Sequence, residues 1–327
     1  MLTTLGRAWG LFDNYLLAPA VGRPSTAGFW YLPEPPRVAD AAALAGYLAA
    51  GHPPYLIDYR PKLRYRLVGP EGIVVLPYGG AIGTRINPEA AFQYALGLHD
   101  AWLATGDPEH RRRFLHYAAF FLGRQTAEGD WTYDFDWYEN RAPWASALAQ
   151  ARGASVMLRA GRLDPSAPYF DAARRALSRF SRPVERGGYA ARFEPAGCVY
   201  FEEYPKQGNV TLNGFMASLF GLFEAGRLLG DPGADALWRE GTASLLRMLP
   251  HFETGWWTLY DRDPRRPQPN PHSPRYHRMC VGYLSVLAAI SGDPGLAAAR
   301  DRWRALDRLP NRSLAFVQKA RRKILYR

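Results

Sequence analysis

Four Asp-Pro pairs, Asp107-Pro108, Asp164-Pro165, Asp231-Pro232 and Asp293-Pro294, divide most of this chain into units 57, 67 and 62 residues apart. Aspartate accepts hydrogen bonds from the free amides of a helix N-terminus, and proline suits the next position, where no amide hydrogen is needed. Glycine, a common helix terminator, precedes three of the four pairs. Each pair therefore predicts a helix, a tight turn and a second helix. A fifth, Asp263-Pro264, lies in a Pro/Arg-rich stretch and falls outside the pattern. The segments before the turns, such as "TLNGFMASLFGLFEAGRLLG", are apolar or small nearly all round, as a buried helix is. Those after them, such as "PGADALWREGTASLLRML", carry one charged face, as a surface helix does. Four inner–outer helix pairs predict a mainly α fold, an α/α toroid or incomplete α/α barrel.

The connections between pairs are long and rich in aromatic and turn residues. Long connections in compact domains commonly carry function. By topology all of them lie at the end where the inner helices begin, so they would form the walls of one cleft. Residues 1–85 lack the repeat. They predict an N-terminal arm packed on the toroid of residues 86–327, with a β-hairpin in "KLRYRLVGPEGIVVLPYGG" turning at Gly69–Gly72.

Composition narrows the function classes. The chain of 327 residues has no run of 18 apolar residues, so no membrane span is expected. Its first 22 residues are mildly amphipathic but interrupted by Asp13 and Asn14, which argues against a secretory signal. Cys198 and Cys280 give neither a disulfide framework nor zinc-ligand spacing. Cytoplasmic residence is the expectation, with no metal, cofactor or nucleic-acid partner. Of the net charge of +11, +8 lies between Arg300 and Arg327. In "FVQKARRKILYR", Phe316, Val317, Ala320 and Ile324 share a helical face, with Lys319, Arg322 and Lys323 largely off it. A solvated helix end is the plain expectation. A peripheral membrane contact through this basic tail is the functional one.

The cleft loops offer Glu202, Glu203, Tyr204, Tyr260, Asp261, Arg262, Tyr276 and His277. Buried carboxyls and phenols can serve as acid and base. Taken singly, each also fits a structural role: Asn213 as a helix cap, Tyr260 as core, His277 as a hydrogen-bonding scaffold.

In combination, "EEYPKQGNVTLNGFMASLFGLFEAG", "MLPHFETGWWTLYDR" and "YHRMCVGYLSVLAAISGDP" resemble the catalytic domain of D-glucuronyl C5-epimerases. The likeness extends upstream through "WYENRAPWASALAQARGASVMLRA" to "INPEAAFQYALGLHD", covering roughly residues 60–308. The animal enzymes insert a β-sandwich domain after the early helix, for which this chain has no room. Where they carry arginine three residues after the tyrosine of Tyr-Asp, this chain has Asp263, flanked by Arg262 and Arg265.

The resemblance implies inversion at C5 of uronic acid residues in a heparosan-like acidic polysaccharide, and a homodimer. It implies Glu203 and Tyr276 as proton-transfer groups on opposite faces of the sugar, their directions open. Tyr204 and Tyr260 would donate to the substrate carboxylate, with Arg262 beside them. Asn213, His277, Gln93, Trp144, Gln150 and Arg85 would bind substrate. The rival expectations are a lyase that removes the same proton and then expels the C4 substituent, a glycosidase built on Glu203 and Asp261, and a glycan-binding protein without chemistry.

Overall fold

The computed structural model describes residues 26–205, 208–265 and 268–325, with side chains from 28 to 322. The amphipathic N-terminal stretch and the side chains of Lys323 and Ile324 lie outside the described residues. The first helices, α1 (Thr26–Trp30) and α2 (Ala41–Ala49), belong to the arm. Four pairs follow: α3 (Pro88–Thr105) with α4 (Pro108–Leu122), α5 (Ala147–Leu163) with α6 (Tyr169–Ser178), α7 (Leu212–Leu228) with α8 (Pro232–Met248), and α9 (Pro274–Ser291) with α10 (Pro294–Leu306). The first helix of each pair packs on the first helix of the next, α3 on α5, α5 on α7 and α7 on α9, and its partner lies outside it. This is the α/α toroid.

Three of the Asp-Pro pairs act as predicted. Asp107 accepts from the Glu109 amide, Asp231 from those of Gly233 and Ala234, and Asp293 from those of Gly295 and Leu296. The pair at Asp164 is a correction. Asp164 accepts from the amide and hydroxyl of Ser166, and α6 begins only at Tyr169. Pro168 is the reason, because the residue before a proline is pushed out of helical geometry.

Short antiparallel sheets precede the inner helices. The strands β1 (Leu76–Pro77) and β2 (Thr84–Arg85) pair before α3, and β3 (Thr132–Tyr133) and β4 (Trp144–Ala145) before α5. Next come β5 (Ala190–Phe193) and β6 (Cys198–Phe201), paired along their length. Then β7 (Val210–Thr211), β8 (Leu259–Arg262) and β9 (Asn270–Pro271) form one three-stranded sheet. The predicted hairpin turn is in place, with the Gly69 amide donating to the Ile73 carbonyl. Regular pairing there is confined to a Val68–Val74 bridge, and the strand that follows pairs onward with β2.

The arm runs between α3 and α9. Gly97 makes room for it on α3: a Cβ there would stand 2.6 Å from the Tyr59 carbonyl oxygen. On the other side Glu34 accepts from the Tyr283 hydroxyl of α9 at 2.9 Å and pairs with buried Lys62 at 2.7 Å.

A last helix, α11 (Leu309–Leu325), folds back on β9. Lys319 Nζ donates to Asn270 Oδ1, and Arg322 to the Gln268 carbonyl. Leu309, Phe316 and Val317 are 73%, 58% and 60% exposed. The helix thus turns two of its basic side chains inward and an apolar strip outward, while Arg308 and Arg321 stay exposed. Among the described residues no helix is long and apolar enough to cross a membrane.

Candidate active site

The sheet β7–β8–β9 knits the loop before α7 to the loop before α9, pairing Thr211 with Asp261 and Asp261 with Asn270. The Ala147 amide donates to the Glu202 carbonyl, tying the same region to the start of α5. Three of the long connections therefore meet at one end of the toroid, as their topology predicts.

Both glutamates of "FEEYP" are buried, and they part company. Glu202 accepts from the Tyr200 hydroxyl at 2.9 Å. Glu203 lies against the first turn of α7, where a Cβ on Gly214 would stand 2.2 Å from its Oε2. The glycine of "LNGF" is what allows this carboxyl its place. Glu203 Oε2 has no hydrogen-bond partner. Burial pushes the carboxyl up to about 8, Glu89 adds to the rise, and the Tyr204 hydroxyl and Arg152 offset it only in part. Glu203 is therefore a carboxyl that changes charge near neutral pH.

Phenols surround it. The Tyr204 ring lies 6.0 Å from Trp144, which stacks on Tyr133 at 4.1 Å and 6°. Tyr260, on β8, meets the Tyr276 ring edge to face at 5.4 Å. Ser273 caps α9 by accepting from the Tyr276 amide, which fixes Tyr276 in the first turn of that helix. Burial first, then the nearby negative ends of Glu203, Tyr276, Asp261 and Tyr138, hold the Tyr260 phenol well above its ordinary range. Burial and Glu203 do the same for Tyr204. Glu203, Tyr204, Tyr260 and Tyr276 thus form one cluster, in which both Glu203 and Tyr276 act on the Tyr260 phenol. Around it Asn213 Oδ1, Thr211 Oγ1 and Asp261 Oδ1 are buried without partners. Such atoms cost about 1–3 kcal/mol each when unpaired, which makes this end of the toroid a candidate place for a polar ligand. Thr211, not Asn213, stands at the N-cap of α7, so the capping alternative for Asn213 is set aside.

Of the remaining expected contacts, His277 and Gln150 are taken up by the scaffold, a role the sequence also allowed for His277. His277 is buried in the scaffold: its Nδ1 meets the Thr258 hydroxyl at 2.7 Å, its Nε2 the Trp303 carbonyl at 2.9 Å, and its ring stacks on Trp257 at 4.0 Å. Burial pushes it down to about 4, so it is neutral and lends no charge to Tyr276. The neighbouring Arg275 donates instead to the Trp30 and Leu32 carbonyls of the arm. Gln150 is spent on the fold, its amide bonding both the backbone amide and carbonyl of Trp131. Gln93 donates to Glu89 and keeps a buried, unpartnered Oε1, while Arg85 is half-buried on β2 with Nε unpartnered. Arg262 is exposed at the end of β8. Asp263 is bound by Arg265, which also pairs with Glu139 of the loop before α5.

Three residues were not read as part of the cleft. Glu89, in the first turn of α3, pairs with buried Arg152, and burial pushes it up to about 7 against that arginine's pull. Its position two residues after the Asn87 cap reads as helix chemistry, which hid it. Tyr138 sits exposed at the tip of its loop in a left-handed conformation. Lys319 stands over the Tyr260 ring, 4.6 Å from its centre. Among the described residues no three metal-ligating side chains converge.

The family model of the D-glucuronyl C5-epimerase C-terminus matches residues 125–305. The chain is similar to a D-glucuronyl C5-epimerase of Caenorhabditis elegans, 31% identical over 216 residues, covering 60% of this chain and 35% of that protein. It therefore spans about a third of the length of that relative. An uncharacterized protein of Methanocaldococcus jannaschii is 26% identical over 228 residues, covering 63% of this chain and 73% of its own length. Among solved structures, an unsaturated glucuronyl hydrolase from Bacillus sp. GL1 aligns with a TM-score of 0.45 and 15% identity, over 70% of this chain and 60% of that one.

Proposed function

Because this chain belongs to the family of the D-glucuronyl C5-epimerase C-terminus, we propose that it inverts C5 of glucuronyl residues within an acidic, heparosan-like polysaccharide. The observation that carries the reading is the buried Glu203 carboxyl, poised near pH 8 among Tyr204, Tyr260 and Tyr276.

The C5 hydrogen is weakly acidic because it is α to a carboxylate. Breaking the C5–H bond sends its electron pair into an enolate-like system on that carboxylate, and donors aimed there supply the main stabilisation. The phenols of Tyr204 and Tyr260, kept protonated by burial, are such donors. Glu203 is assigned as the base for the glucuronyl direction, since its carboxyl can ionise near neutral pH while the phenols of Tyr204 and Tyr260 stay protonated. Tyr276 then gives its hydroxyl proton to C5 from the opposite face. The turnover leaves Glu203 protonated and Tyr276 as phenolate, and a proton passing from Glu203 to Tyr276 restores both. In the reverse direction the two exchange roles.

The test is incubation of a glucuronyl polymer in deuterated water with NMR at C5. Deuterium at C5 with both epimers present, and no ultraviolet absorbance from an unsaturated uronate, is the expected result. Absorbance would instead establish β-elimination. Neither exchange nor elimination on any polyuronate would leave a glycan-binding protein.

A further inference from the structure

The C-terminal helix delivers a cation to a cleft built some sixty residues earlier in the chain. Just past the end of β8, the position three residues after Tyr260 is an aspartate, Asp263, held by an arginine that it shares with Glu139. Lys319 comes from α11. Its Nζ donates to Asn270 Oδ1 at 2.7 Å and stands over the Tyr260 ring, 4.6 Å from the centroid. Asn270 pairs in register with Asp261, the neighbour of Tyr260. One sheet therefore fixes both the lysine and the phenol. Three residues on, Arg322 is buried and donates to the Gln268 carbonyl, pinning the helix at this register.

A cation over an aromatic face is drawn to the ring's electrons. It withdraws charge from the phenol oxygen, so the O–H becomes a stronger donor and the ring better tolerates negative charge. Glu203, Tyr276, Asp261 and Tyr138 each oppose build-up of negative charge on Tyr260. His272, edge to face at 5.9 Å, is kept neutral by burial. Lys319 sets a positive charge against them.

We infer that Lys319 is a positioning residue acting through Tyr260: it strengthens the Tyr260 hydroxyl as a donor to the substrate carboxylate while that carboxylate gains charge. The inference rests on the epimerase reading proposed above.

A double-mutant cycle tests it on the full chain. Lys319→Met should lower kcat for C5 exchange about tenfold, with KM changed by less than roughly twofold. Lys319→Arg should restore most of the rate. In a Tyr260→Phe background, Lys319→Met should cost nothing further, because the hydroxyl through which the lysine acts is gone. Additive losses in the double variant, an effect confined to KM, or an arginine no better than methionine would each overturn the inference. A second arm needs no substrate. The ¹³Cζ resonance of Tyr260, assigned with Tyr260→Phe, should shift in Lys319→Met and return toward its wild-type position in Lys319→Arg. Wild-type exchange with an unmoved resonance sinks the lysine's role. A shifted resonance in a protein without exchange retains the contact and sinks the epimerase reading instead.

Discussion

At the scale of single residues, Glu203 ties stability and activity to opposite directions of pH. Burial pushes its carboxyl up to about 8 in the folded chain, against about 4.3 when unfolded. A raised carboxyl contributes stability that is complete below the unfolded value and is lost as pH rises through the folded one. A base must be ionised, so exchange should rise across the upper part of the same window, with a midpoint near 8. Rate and unfolding measured between pH 5 and 9 on the order of one-unit steps should therefore diverge, and Glu203→Gln should flatten the stability trend. Glu203→Gln and Tyr276→Phe should each slow exchange by at least about 10²-fold with the fold retained; near-normal exchange in either would remove it from the mechanism. Gly214→Ala should be as damaging to rate as a substitution in the cluster itself, since its methyl would occupy the place of Glu203 Oε2. The cluster was legible because its members recur in a family pattern. His277 was readable as a hydrogen-bonding scaffold, but its partners were not, because Thr258 and Trp303 lie 19 and 26 residues away with no local signal.

Among the elements, the inner and outer helices were legible because periodicity and capping act locally. The late start of α6 shows the limit: Pro168 overrules the punctuation at Asp164. The inner helices also hold more charge than their apolar appearance suggests. Arg159 of α5 and Glu224 of α7 pair at 2.7 Å, fully buried, with the Tyr47 hydroxyl donating to the same carboxylate. For α11 the pattern showed which residues share a face but not which face docks. Polar anchors at Asn270 and Gln268 decided that, leaving Leu309, Phe316 and Val317 outward, with Arg308 and Arg321 exposed beside them. An outward apolar strip bordered by arginines fits an anionic bilayer surface. Replacing Leu309, Phe316 and Val317 together by serine should abolish co-sedimentation with anionic vesicles and leave exchange on soluble polymer intact. Unchanged sedimentation would return the strip to a surface without a lipid role.

Across the whole molecule, the arm is what the repeat could not foretell, since irregular segments carry no periodicity and its partners lie far along the chain. Lys62 is fully buried, pushed down to about 8 by that burial against the pull of Glu34. Removing one partner of a buried ion pair typically costs about 3–5 kcal/mol, so Lys62→Met should lower unfolding free energy by that order in urea titration, while a surface change such as Arg112→Met, on an exposed helix pair, should do almost nothing. The arm's seat between α3 and α9 has a mechanical consequence. Helix-on-helix packing runs from α3 through α5 and α7 to α9, and the return from α9 to α3 is made through Glu34, Lys62 and Tyr283. The ring is thus a split washer with a plug in its slit. Loosening the plug should let the two lips part while the far side stays shut, so amide exchange in Lys62→Met should quicken in α3 and α9 before it does in α5 and α7.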